Sequence, residues 1–239
     1  DQGRRQKGVS DYERAHFAKR KSSLSEAWGD VSPLTSMCLE SPYVIFNTYK
    51  YVKIIWSFTD PVNRAHRHYL DCLDSNYAPR LRSFDDEMRL QIKRIRDCDS
   101  TLNDITLSER FRTCYTNQKE LCNWSVAERE DCKSIVAMGL YPEITKSWLD
   151  VFPHKNMLSL TEDQITNSIP AAAEALLDFL DKQLRITATH LHVWSRLHQT
   201  KKENIKLPKQ VLSKGMQLLR EFYMERGIIS YNSYYTGIH

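Results

Sequence analysis

Residues 43–58 read YVIFNTYKYVKIIWSF, and whether they form a helix or a strand decides the architecture of this chain. β-branched and aromatic residues crowd the run, which suits a pleated strand as well as a buried helix. A strand needs a partner, and no second run of comparable β character stands out elsewhere. Just ahead lies Ser41-Pro42, a good helix opening, because proline in the first turn gives up no hydrogen bond. The stretch is therefore read as a buried helix, and the chain as all-α.

Downstream, the pattern is helical again. Asp60-Pro61 repeats the cap-and-proline opening, and Val62, Ala65, Tyr69 and Cys72 follow at three- and four-residue steps on one face. Ser83-x-x-Asp86 caps a helix carrying Met88, Leu90, Ile92 and Ile95 and ending near Asp97. Thr106-x-x-Glu109 and Ser125-x-x-Glu128 open two more, the first running to Cys122 and the second stopping at Gly139. The connection between Asp97 and Thr106 is short, which predicts an antiparallel hairpin.

All six cysteines lie between Cys38 and Cys132, and five of them between Cys72 and Cys132. Cys38, Cys72, Cys98, Cys114, Cys122 and Cys132 are therefore candidate disulfide partners, and their even count and clustering favour pairing over six buried free thiols. In a hairpin turning near residues 102–103, positions 72 and 132 sit at comparable heights. That pairs Cys72 with Cys132 and leaves Cys98–Cys114 closing the tighter loop. Asn123-Trp124-Ser125 is a glycosylation acceptor. Disulfides of this kind belong to an oxidising compartment.

Past Gly139 the cysteines stop and the aliphatics become regular. Pro142 precedes a short helix over Glu143–Val151, and Thr161-x-x-Gln164 has capping-box spacing. A long helix is expected from Pro170 to about 202, seamed by Ala173, Leu177, Leu180, Leu184, Leu191 and Trp194. Pro208 opens a last one, closed by Gly227. The expected fold is thus an all-α, multi-helix bundle. Its cysteine-bearing half covers 1–139 and is disulfide-stapled. Its cysteine-free half covers 140–239 and is built on an antiparallel pair at about 169–202 and 208–226. The two halves are either separate units or one continuous domain.

Composition narrows the function by exclusion. The chain has 239 residues and can bury about 70 % of its unfolded surface, so disulfides are not required by size. Seven glycines leave no glycine-rich nucleotide loop, and a net charge of +4 from 34 bases and 30 acids is mild for a nucleic-acid binder. No apolar run is long enough for a membrane span. The sequence begins at Asp1, which fits either a removed leader or a fragment.

Motifs for chemistry are absent: there is no C-x-x-C, no HExxH and no G-x-S-x-G. His190 and His192, like His66 and His68, diverge around a helix and cannot share an ion, while His198 reads as a boundary residue. Asp85, Asp86 and Glu87 fall in a helix's first turn, where acids complement the dipole. No catalytic residue, cofactor or metal ligand is assigned.

The leading expectation is a non-enzymatic interaction protein of the extracellular space or secretory lumen, binding a protein partner. Its candidate contact residues are Tyr231, Tyr234 and Tyr235 in the aromatic tail, with Lys19, Arg20 and Lys21 in the basic arm. One alternative is a carrier of a small hydrophobic ligand, lined by Phe46, Trp56, Trp194 and Phe222. The other is an intracellular subunit touching nucleic acid through the arm.

Overall fold

Residues 43–58 turn out to be both helix and strand. In the computed structural model, which describes residues 33–49, 51–74, 82–101, 107–117, 122, 132–180 and 213–229, helix α1 spans Ser41–Thr48 and strand β1 spans Ile54–Phe58. Thr48 donates its hydroxyl back to the Val44 carbonyl at 2.8 Å, the local competition by which threonine weakens a helix end. Tyr51 is 94 % exposed in the turn between the two elements. The expectation of a single buried helix is corrected on both counts, because α1 also leaves Tyr43 and Val44 exposed.

The partner of β1 is β2, Met157–Thr161, and the two run parallel with Ile54 opposite Met157 and Phe58 opposite Thr161. The described residues are mostly helical, as the all-α reading expects, and add to it a two-stranded parallel sheet which that reading lacks. Parallel pairing demands a long crossover, which is why the partner stands about a hundred residues away and escapes any local search. Trp56 and Phe58 point from β1 into a chain of aromatic contacts. Phe46, Phe152, Trp148, Trp56, Phe58 and Tyr141 follow one another at centroid distances of 5.0–5.8 Å.

Each strand leads straight into a helix. After β1 comes α2, Pro61–Asp74, where Asp60 Oδ1 accepts from the Asn63 amide at 2.8 Å. Its buried stripe is Val62, Ala65, Tyr69 and Cys72, the face read from the sequence. After β2 comes α6, Glu162–Asn167, held by a complete capping box between Thr161 and Gln164.

Between these units run α3, Phe84–Thr101, and α4, Leu107–Arg110, which continues as a π-turn over Phe111–Tyr115. Ser83 Oγ accepts from the Asp86 amide at 3.3 Å, as the cap spacing implies, but α3 extends past Asp97 and so carries Cys98. Tyr115 ends the π-turn and Thr116 is already extended, so α4 stops well short of Cys122. The helix expected to stop at Gly139 also breaks earlier. Residues 134–140 are buried throughout and form turns ending in a 3-10 turn at Ala137–Gly139, while 125–131 lie outside the described residues. Helix α5 follows at Tyr141–Leu149.

In the C-terminal part, α7 spans Ile169–Phe179 and ends at Leu180, where the expected helix ran on, and residues 181–202 lie outside the described residues. Helix α8 is Lys214–Glu225, capped by Ser213, whose Oγ accepts from the Met216 amide. Gly227, at φ 68°, closes it: the Ile228 amide reaches the Tyr223 carbonyl and the Gly227 amide reaches Met224. That double bond is the Schellman arrangement, which requires the left-handed conformation glycine adopts freely.

The described partner of α8 is α3, and the two lie parallel. At their amino ends Asp85 Oδ1 accepts from the Gly215 amide at 2.7 Å; at their carboxyl ends Arg96 meets Glu225 at 2.6 Å. Asp85 thereby offsets the positive end of both helix dipoles. Met216, Leu219 and Phe222 of α8 join Met88, Ile92 and Ile95 of α3, Val62 and Ala65 of α2, and Ile135 and Val136 in one core cluster.

Candidate functional site

The cysteines form three disulfides, Cys38–Cys122, Cys72–Cys132 and Cys98–Cys114, including both pairings anticipated from the hairpin. Taken singly, the chain-entropy model gives about 3 kcal/mol for the short loop and about 4 kcal/mol for each long one. His68 lies one helical turn before Cys72, and one of its ring nitrogens falls within 4.8 Å of both sulfurs of the Cys72–Cys132 bridge. That grouping is not a metal centre as it stands. Both sulfurs are spent in the disulfide, and Arg64 places its guanidinium 3.2 Å from His68 Nδ1.

The densest polar cluster sits where α3, α4, α5 and the end of α8 meet. Arg226 donates Nη2 to Asp99 Oδ2, and its Nη1 lies 3.2 Å from the Tyr115 hydroxyl and 3.5 Å from Glu143 Oε1. Tyr115 donates its hydroxyl to the other oxygen of Asp99, and Arg110 Nε approaches the same atom at 3.8 Å. The guanidinium also lies over the rings of Phe222 and Tyr115, at 4.8 and 5.4 Å. Burial, reinforced by the bond to Asp99, pushes the Tyr115 hydroxyl up to about 12. Burial likewise raises Glu143, and the opposing pull of Arg226 does not cancel it.

Beside this cluster opens a cleft of about 170 Å³, bordered by Gln91, Arg94, Ile95, Tyr115, Thr116 and Lys133. Its two cations suit a small anionic group rather than an apolar one, and its size falls below the usual 300 Å³ or more of a ligand pocket, roughly. Three of the four rings expected to line a carrier cavity lie among the described residues. Phe46 and Trp56 pack on Phe152 and Trp148, whereas Phe222 lies against Tyr223 in the α3–α8 core, and Trp194 is outside the described residues.

Polar groups also gather at the carboxyl ends of the two strands. Thr59 donates to Glu162 Oε2, Arg67 meets Glu162 Oε1 at 3.1 Å, and Tyr141 donates to the Thr59 carbonyl at 3.0 Å. In parallel βα arrangements this edge is where ligands settle. Tyr43, Val44, Tyr51 and Ile55 are large side chains left exposed within one short stretch of sequence.

No family model, curated protein or solved structure matches the chain. Among the described residues no helix is long and apolar enough to cross a membrane. Asn123, the tail residues Tyr231, Tyr234 and Tyr235, and the arm residues Lys19, Arg20 and Lys21 lie outside the described residues. Sequence reading singled out none of Asp99, Tyr115, Glu143 or Arg226. Each sits on a different element or turn, so only the Tyr141-Pro142 helix opening hinted that Glu143 would be held inside a first turn.

Proposed function

We propose that this protein is a disulfide-stapled helical interaction module of the extracellular space or secretory lumen, with no catalytic role, presenting a surface to a protein partner. The observation that carries the reading is the exposed set Tyr43, Val44, Tyr51 and Ile55. Tyrosine and branched aliphatics bury much area at small entropic cost, and such residues clustered at a surface mark interaction sites. The three disulfides support the compartment. The test pairs Tyr51→Asp with Ile55→Asp in protein made in a secretory cell line, with Arg89→Ala as a surface control. Cross-linking to a discrete partner that is lost in the double variant and kept in the control supports the reading. Equal cross-linking in all three, or full thiol alkylation without reductant, sinks it.

A second reading rests on the carboxyl ends of β1 and β2, where a small polar ligand would meet Arg67, Thr59 and the first turn of α2. A panel of small anionic and neutral polar compounds, followed by thermal shift, tests it. Stabilisation abolished by Arg67→Ala supports the site, and no response across the panel rejects it.

A further inference from the structure

We propose that Glu143 is the proton-binding element of an acid-strengthened latch that holds α8 against α3, α4 and α5. The geometry is unequal between two carboxylates sharing one guanidinium. Asp99 takes the close contact with Arg226, together with the Tyr115 hydroxyl and the approach of Arg110. Glu143 has Arg226 Nη1 at 3.5 Å on one oxygen and a pull from its own backbone amide, while its Oε2 is buried with no hydrogen-bond partner. An ionised carboxylate that is 5 % exposed and half satisfied costs more than a neutral one in the same place.

A proton on Glu143 removes that cost. It also leaves Asp99 and the two guanidiniums in full contact, so the Arg226 anchor of α8 stays intact. The charged groups facing Glu143 are Arg226 at the end of α8, Asp99 from α3 and Arg110 from α4, with the Tyr115 hydroxyl of the π-turn reaching it through Asp99 and Arg226. Burial is the largest influence on its titration and raises it above the usual carboxylate range. When α8 lifts away, water reaches Glu143 and its proton affinity returns to the ordinary value. Protons therefore bind the docked state better than the open one, and acidification favours docking. The sign follows directly. A raised folded-state pKa contributes stability that is complete below the unfolded value near 4.5 and is lost as pH rises through the folded value.

Amide hydrogen exchange of α8 in the wild-type protein, corrected for intrinsic rates, tests this between pH 7.5 and pH 5. Protection should increase on acidification, by up to about tenfold for each unit by which Glu143 is raised. Glu143→Gln, permanently neutral and of the same shape, should raise protection at pH 7.5 and remove most of its pH dependence. The latch is refuted by wild-type protection that is flat or falls on acidification, and equally by a Gln variant that keeps the wild-type slope. If the Gln variant fails to fold, the wild-type profile alone decides.

Discussion

The hydroxyl of Tyr223 donates to the carbonyl of Val136 at 2.8 Å, and neither residue touches solvent. This bond ties the last described helix to the buried 134–140 segment, and the Tyr223 ring occupies the space above Gly139. Tyr223→Phe removes this bond but leaves the Val136 carbonyl its second one, from the Gly139 amide at 3.0 Å, and should cost about 0.5–1.5 kcal/mol. Gly139→Ala places a methyl group inside the Tyr223 ring, so it should destabilise more than Tyr223→Phe does. Urea denaturation of the three proteins checks both the sizes and the order.

Two tyrosines should resist base. Burial and the bond to Asp99 push Tyr115 up to about 12, and full burial raises Tyr223 as well. Because both folded values lie above the ordinary 10, the stability they contribute is complete below pH 10 and drains as pH climbs toward 12. A tyrosinate absorbance titration should show a late phase contributed by these buried residues. The late phase should coincide with loss of helical circular dichroism, and a single early phase for all tyrosines would contradict the placement.

Removing disulfides should separate by loop length. Replacing Cys72 and Cys132 together by alanine should cost about 4 kcal/mol and the Cys98/Cys114 pair about 3 kcal/mol, with added loss at the fully buried bridge. Thermal unfolding of both double variants measures the difference.

Helix ends offer two inexpensive checks. Thr161→Ala deletes the cap of α6 and should lower stability by about 1 kcal/mol. Gly227→Ala forces a side chain onto φ 68° and should cost about 1 kcal/mol. Gly215→Ala, by contrast, meets Asp85 and Phe84 at the α3–α8 contact and should disturb that interface itself.

Local signals were read well from this sequence, and distant ones were not. The stop at Gly227, the Thr161 box, the Asp60 and Ser83 caps and the inward stripe of α2 each depend on residues within one or two turns, so spacing alone reveals them. The Cys98–Cys114 bridge, 16 residues apart, is nearly local in the same sense, whereas Cys72 and Cys132 lie 60 residues apart. The sheet was missed because MLSLT is short, carries a serine and is stabilised by a strand far away. The start of α8 was misplaced because Pro208 looks like an opening, whereas Ser213 supplies the cap. The Asp99–Tyr115–Glu143–Arg226 cluster has no sequence signature at all, since it exists only where four elements converge.

The parallel seating of α8 on α3 sets an order of events during synthesis. Met88, Ile92 and Ile95 leave the ribosome well over a hundred residues before Met216, Leu219 and Phe222 can cover them. Until then that oily strip has no lid from α8, and contacts so far apart in sequence form slowly. The nascent chain is thus exposed to aggregation for most of its production and should depend on chaperones while it waits. A chain cut off between Cys132 and Lys214 should remain in that condition, able to form its bridges but with that strip unsealed by α8.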